Sequence, residues 1–343
     1  MNITIEKTAA TARALCEVPG PSGRECAAFA AARAMLAPLG EVTRTPLGSL
    51  LCCVNPGREG APHLLLEAHL DQIGFVVTRV EEGFLRFAKV GGIDPRWLPA
   101  TPVVIHAAGG DRPGIITSVP PHLAGDSDDH SIKIEDLLID TGCRPETAET
   151  LFAPGDIVTF AARPVMLQNN RLAGPALDDR IGCAAVIAAA QEIAAEKPDC
   201  RVTVLLSSME EIGGQGAMTG GFAVRPDYAI AVDVSFGDGF GCRAEQTAPL
   251  GGGPMLGLAP ILDRTFTRRL QELAKAHEIP LQPEPMGGRT GTDADDLAAA
   301  GPGIKTALIS IPLRSMHTVA ETVDLADAAN TARLMALAAK EGI

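Results

Sequence analysis

The chain reads as an α/β protein of two domains: a sheet covered by helices on both faces, with a smaller β-rich domain inserted into it. Three observations predict this. At 343 residues the chain exceeds the roughly 250–300 residues that one hydrophobic core usually serves. Apolar strands alternate with helical stretches toward both ends, a pattern that buries a sheet between helices. Between residues 73 and 163 that alternation stops, and short strand-like pieces are separated by Gly/Pro turns. The predicted boundaries are 1–72 plus 164–343 for the main domain and 73–163 for the insert.

Taken in order, the first 40 residues predict two helices. Ser22-x-x-Glu25 has the form of a capping box, expected to open the alanine-rich run ending near Leu39-Gly40. His63–His69 predicts a strand. In the insert, Phe75–Val80, Phe84–Val90, Val103–His106, Gly114–Ser118 and Ile157–Phe160 predict strands, and Gly91-Gly92-Ile93-Asp94-Pro95 predicts a turn. Ala124–His130 is polar and reads as a loop, His130 as a solvated residue within it. Beyond Leu177 the expected elements are a helix over 179–196, strands over 201–208 and 228–234, a helix over 265–277, a strand over 304–310 and a helix over 324–341.

Composition excludes several function classes. A 46% hydrophobic and 21% charged chain describes a folded globular protein, not a disordered one. A net charge of −13 argues against nucleic acid or an anionic membrane as partner. The amino terminus lacks a signal pattern, and apolar runs such as Ile181–Ala190 fall short of the about 20 residues a bilayer span needs. Eight cysteines without a Cys-x-x-Cys pair read as reduced cytoplasmic thiols, with Cys183 and Cys242 taken as packing residues. Adjacent Cys52 and Cys53 point to opposite faces of a strand. Gly213-Gly214-Gln215-Gly216 lacks the remaining residues of a nucleotide-binding loop.

Five segments place acids or histidines at element ends. His69 and Asp71 share a face on an extended strand, so the carboxylate can fix the imidazole's tautomer. Asp178 and Asp179 stand at a helix start, where they could equally well favour its dipole. Glu210 and Glu211 follow the apolar run Val202–Ser208, at the end of a strand where open α/β sheets place active sites. Asp233 interrupts the apolar strand Ala229–Val234, which is costly unless it is paired or metal-bound. His317 sits in a loop after a buried strand. Histidine with carboxylates from several strand ends suits Zn²⁺ or Co²⁺. Two ions sharing a bridging carboxylate suit hydrolysis, with an unliganded glutamate moving the proton.

The ordered set A-H-L-D, A-L-D-D-R-I-G, E-E-I-G, A-V-D-V and P-L-R-S-M-H resembles the di-zinc aminopeptidases known as glutamyl, deblocking or tetrahedral aminopeptidases, some of which carry an endoglucanase label. Gly91–Pro95, Pro120-Pro121-His122-Leu123 and Gly291-Thr292-Asp293-Ala294 extend the resemblance over nearly the whole chain. It implies a zinc-peptidase-like mixed sheet and a small β-barrel insert. It also implies that His69 and His317 end two different metal sites, that Asp178 bridges them, and that Asp71 and Asp179 stand behind the ligands. Glu211 joins one metal, Asp233 the other, and Glu210 is the general base. The implied substrate is a short peptide with a free amino terminus. The implied assembly is a dodecamer built from dimers, with the insert serving contacts and substrate access.

Some residues depart from the family pattern. Gln72 stands where glutamate is usual, Ser315 where an aromatic residue is usual, and Thr318-Val319-Ala320-Glu321 replaces Ser-Pro-Val-Glu. Asp295 and Asp296 add acidity behind the Gly-Thr-Asp-Ala turn. Outside the set, His63 reads as structural, His106 and His277 have no assigned role, and His122 is weighed as a contribution of the insert to the site. Arg289 and Arg314 read as internal salt-bridge partners, the alternative being a grip on a substrate carboxylate. A related di-zinc deacylase or dipeptidase acting on N-acyl amino acids is the nearest alternative, but those enzymes insert a helix-covered sheet. A non-catalytic metal-binding relative would have lost a ligand or base, and all six are present. A carbohydrase would leave both histidines unexplained and has one tryptophan and one tyrosine for stacking on sugars.

Overall fold

The computed structural model describes residues 3–119, 122 and 132–343. Its helices are α1 (Ile5–Cys16), α2 (Cys26–Leu36), α3 (Pro145–Leu151), α4 (Leu177–Glu196), α5 (Gln215–Val224), α6 (Arg264–Ala276), α7 (Asp293–Ala299) and α8 (Leu325–Leu337). The strands up to the end of the insert are β1 (Val42–Arg44), β2 (Leu50–Asn55), β3 (His63–His69), β4 (Gly74–Glu81), β5 (Phe84–Val90), β6 (Pro102–Ala107), β7 (Gly110–Thr117), β8 (Leu138–Asp140) and β9 (Ile157–Phe160). They continue with β10 (Val165–Met166), β11 (Arg171–Gly174), β12 (Arg201–Ser207), β13 (Tyr228–Phe236), β14 (Met255–Leu258), β15 (Gln282–Pro285), β16 (Lys305–Arg314) and β17 (Glu321–Asp324).

The large sheet runs β1-β2-β12-β3-β13-β16-β17-β11-β10, with β14 and β15 attached beside β16. Its centre, β12-β3-β13-β16, is parallel, and antiparallel strands flank it. Buried parallel strands must be apolar on both faces, and β3 meets this requirement by alternation. Leu64, Leu66 and Ala68 pack into the core shared with α1, α4 and α8. Leu65 packs on the opposite face with Ala217 of α5 and Ala294 and Leu297 of α7. The same period of two turns Glu67 and His69 toward the α5/α7 side.

Strands β4-β5-β8-β7-β6-β9 close into a separate barrel with its own core. At its centre the Phe75 ring meets Phe87 edge-on at 5.1 Å and Phe160 at 5.4 Å, a geometry that aligns ring edges with ring faces.

Several details depart from expectation. The Ser22/Glu25 capping box does not form: α2 begins at Cys26 behind Glu25 with no side-chain cap. Instead the Ser22 hydroxyl donates to Asp71, and Glu25 accepts from the Gly23 backbone N–H. A buried carboxylate competes better for that hydroxyl than a helix end that water can serve. Asp178 and Asp179 have non-helical backbone angles, and the peptide between them is cis; they form the approach to α4, not its first turn. Cys242 is exposed, not packed. Helices α3, α5 and α7 escape the sequence reading. A Cβ at Gly220 would come within 2.7 Å of the Leu205 side chain, so glycine is what lets α5 lie on β12. The loop Ala124–His130 lies outside the described residues. No helix of the described residues is long and apolar enough to cross a membrane.

Because the barrel core is separate, removing its central ring should loosen it selectively. Phe75→Ala is expected to cost about 3–5 kcal/mol. In hydrogen-exchange measurements, protection should fall in β4–β9 well before it falls in β3, β12 and β13.

Candidate metal centre

The carboxyl ends of the central strands bring the polar residues together. His69 ends β3 beside Ser207 of β12, and Asp233 of β13 lies beside Ser310 of β16. Four loops then close over this edge, carrying Asp71, Asp178, Glu210 with Glu211, and His317.

Asp178 is the meeting point. Its Oδ1 lies 3.0 Å from His69 Nε2 and its Oδ2 lies 3.2 Å from His317 Nε2. His69 Nε2 also stands 3.8 Å from Asp233 Oδ1 and 4.0 Å from Glu210 Oε2, while His317 Nε2 is 3.5 Å from Glu211 Oε2. Two groups of donor atoms therefore share one carboxylate: His69, Asp178 and Asp233, and Asp178, Glu211 and His317. Each is compact enough to hold one metal ion, and the donor chemistry of imidazole nitrogen and carboxylate oxygen fits a borderline divalent cation.

The electrostatics favour such an ion. Burial raises the Asp233 and Glu211 carboxyls well above their ordinary range, and the charges of neighbouring carboxylates add to it. Glu210 is pushed up to about 8, first by burial and then by Asp293, Asp178 and Asp71, against the pull of His69. Burial opposes charge on Asp178 and on both imidazoles, but their hydrogen bonds outweigh it. They hold Asp178 below its usual range and raise His69 and His317. Among the described residues no lysine or arginine forms an ion pair with this set, and Glu211 Oε1 is buried without a hydrogen-bond partner. A buried acidic cluster with no lysine or arginine paired to it is one that a bound cation would stabilise.

Asp71 does more than the sequence suggests. It is fully buried, and its Oδ1 stands 3.5 Å from His69 Nδ1. The same Oδ1 accepts the Glu210 N–H at 3.1 Å. Its Oδ2 accepts the Glu211 N–H at 3.2 Å and the Ser22 hydroxyl at 2.5 Å. Asp179 stays behind the ligands, its Oδ1 accepting the Gly182 N–H.

The insert supplies backbone to the centre. A Cβ on Gly92 would lie 2.9 Å from His317 Nδ1, and one on Gly91, whose φ is +83°, would lie 3.0 Å from Glu211 Oε2. Only glycine allows the barrel to approach both ligands this closely. The Gly92 backbone also hydrogen-bonds His317, which fixes the ring with Nε2 toward Asp178.

Sequence reasoning gave no role to three acids. Glu321, almost completely buried, accepts the His317 N–H at 2.9 Å on Oε1 and the Asp178 N–H at 3.1 Å on Oε2. It thereby ties two ligand segments 139 residues apart in the chain. Glu67 and Asp293 lie under His69, and Ser207 Oγ stands 2.7 Å from the first and 2.6 Å from the second. One hydroxyl has one proton, so both contacts are hydrogen bonds only when a carboxyl carries another; Glu67, raised by burial and by the charge of Asp293, is that carboxyl. Glu67 breaks an apolar strand as Asp233 does, a signal that could have exposed it.

The blander assignments resolve as follows. His63 Nε2 bonds the Thr203 hydroxyl at 2.8 Å, and burial pushes its pKa down to about 4. His106 bridges Asp111 and Thr159, and His277 meets Glu341. Arg289 pairs with Asp295 at 3.1 Å and Arg314 with Asp238 at 2.6 Å. His122 is exposed, and both its chain neighbours lie outside the described residues.

Residues 48–334 match the family described as M42 glutamyl aminopeptidase. The lysyl aminopeptidase of Pyrococcus furiosus is 36% identical over 80% of this chain and 80% of its own. Among solved structures, the TET aminopeptidase of a marine-sediment Thaumarchaeota archaeon superposes with a TM-score of 0.93 at 29% identity, over 98% of this chain and 96% of that one. The Pyrococcus horikoshii TET1 peptidase, which can assemble into a tetrahedron or a large octahedral shell, gives 0.86 at 29% identity, over 98% of this chain and 100% of that one.

Glu321→Ala removes the acceptor shared by Asp178 and His317. Loss of such a partner behind the ligands is expected to weaken the His317 site about 10–100-fold. Calorimetric titration of the metal-free protein with Zn²⁺ should show that loss in one of two binding steps, with the other changed far less.

Proposed function

Because this chain belongs to the M42 glutamyl aminopeptidase family and is a peptide hydrolase of the aminopeptidase class, we propose that it is a metal-dependent aminopeptidase releasing residues one at a time from short peptides with a free amino terminus. His69, Asp178 and Asp233 would hold one divalent ion, and Asp178, Glu211 and His317 a second. Zn²⁺ is the first choice and Co²⁺ the alternative. The observation that carries this reading is the division of Asp178, one oxygen facing each histidine at 3.0 and 3.2 Å. When bound, such ions polarise a carbonyl oxygen and lower the pKa of a water molecule.

The chain's own residues do the rest. Glu210 remains outside both donor groups and is the most solvent-reachable of the acids, its side chain 18% exposed against 4% for Glu211. It takes the proton of the attacking water and delivers it to the departing amine as the C–N bond breaks. Burial and neighbouring carboxylates raise the Glu210 carboxyl, and cations held beside it would draw it back toward the ionised form that accepts a proton. Asp71 is a positioning residue: it orients the His69 imidazole and anchors the Glu210–Glu211 backbone at once.

The unit over residues 73–163 is read as serving self-association and access to the site, in a dodecamer built from dimers. Its glycines beside Glu211 and His317 support the second role. A cytoplasmic location belongs to the same reading, supported by eight free thiols.

The test uses protein reloaded with Zn²⁺ or Co²⁺ and two matched peptide sets, one with free and one with acetylated amino termini. Release of amino acids from the free-amine set alone, abolished by chelator, is the expected result. Cleavage confined to the acetylated set would instead make the protein a deacylase. Glu210→Ala should lower kcat by a factor on the order of 10²–10⁴ while metal content stays near two per subunit; retained turnover would remove Glu210 from the role of base.

A further inference from the structure

One carboxylate beside the centre is used neither by the metal groups nor by their supports. Glu284 lies on β15, paired with Gly257 of β14. The Ser310 hydroxyl donates to Glu284 Oε2 at 2.6 Å, and the Ser235 hydroxyl also donates to it. Ser310 is the cross-strand partner of Asp233, and Ser235 follows Asp233 by two residues in β13. All three therefore face the same side of the sheet as Asp233, the side on which Ala231 and Leu308 pack beneath α7.

From this placement we propose that Glu284 is the specificity-determining residue for the amino-terminal side chain of the substrate, and that it selects a cationic one, lysine or arginine. This rests on the aminopeptidase reading above.

Four observations support it. Two hydroxyl donors and no ion-pairing cation surround Glu284 among the described residues. Burial raises its carboxyl, so an ammonium or guanidinium arriving there would be well rewarded by the low local dielectric. Glu284 is half-buried as a residue, not sealed within the core. The arginines that could instead select an acidic residue are occupied, Arg289 by Asp295 and Arg314 by Asp238. At longer range a net charge of −13 draws cationic peptides and repels anionic ones. Its partner Ser310 is the neighbour of Asp233 across the sheet; in this proposal a long first side chain would extend to Glu284 and a short one would stop before it.

The experiment compares kcat/KM of the metal-loaded enzyme for peptides differing only in the first residue: Lys, Arg, Leu or Glu. The native protein is expected to favour Lys or Arg over Leu by at least tenfold and to disfavour Glu most. In Glu284→Gln the Lys-to-Leu ratio should fall about 30-fold, mainly through KM, and in Glu284→Lys the preference should move to the Glu peptide. A structural role alone would lower all four rates together and leave the ratios fixed; that result overturns the proposal. So does a native preference for Leu or Glu. Absence of cleavage of every free-amine peptide, by contrast, would sink the aminopeptidase reading itself.

Discussion

The buried carboxylate of Asp71 is the constraint on which the centre depends. Three segments meet on its two oxygens: the loop before α2 through Ser22, the end of β3 through His69, and the turn after β12 through the N–H groups of Glu210 and Glu211. A carboxylate so far from water persists only where hydrogen bonds to its charged form replace hydration. Here burial opposes the charge, and the nearby His69 imidazole and the bonds from Ser22 and the Glu210 backbone overcome it, so its pKa falls. The same contacts fix where the imidazole and both glutamates stand. Stability and geometry are thus set by one group.

Around Asp71 the fold repeats this device. Glu321 gathers Asp178 and His317 through their backbones, and Asp295 gathers Thr290 and Gly291 with the Arg289 side chain. Below His69, the Glu67–Ser207–Asp293 contact holds a shared proton instead of a full second charge. Such a layer is costly to bury, and buried polar networks of this kind specify a single arrangement more than they add stability. The extensive apolar packing on both faces of β3, β12 and β13 offsets that cost. Fully buried Arg180 belongs to the same logic: it donates to the carbonyls of Leu15, Val18 and Leu70, holding the chain just before Ser22 and just before Asp71.

The barrel is tied to the centre by the absence of side chains at Gly91 and Gly92. Its own core is independent, yet its β5–β6 connection forms one wall of the His317 group. A unit whose packing is separate but whose backbone touches a ligand can influence access to the site without contributing a ligand to it.

Much of this was legible in the sequence. Near-continuous apolar runs marked β3, β12, β13 and β16, because buried parallel strands tolerate few other residues. Acids and histidines at their carboxyl ends marked His69, Asp178, Glu211, Asp233 and His317, which the structure gathers into two groups sharing Asp178. Sequence periodicity reports burial along one element; it carries no information about which distant atoms meet. So it could not assign the Ser22 hydroxyl to Asp71 instead of a helix cap, since both partners are chemically reasonable and only tertiary approach chooses between them. Nor could it see Glu321 and Glu284, whose roles lie in bonds to segments far away in the chain. Nor did it predict α5, whose Gly220 permits a close crossing over Leu205. The residue types were written in the chain; which carboxylate serves a metal, which a backbone and which an open pocket was decided by packing, because burial and neighbouring charge arise only once the sheet has brought the loops together.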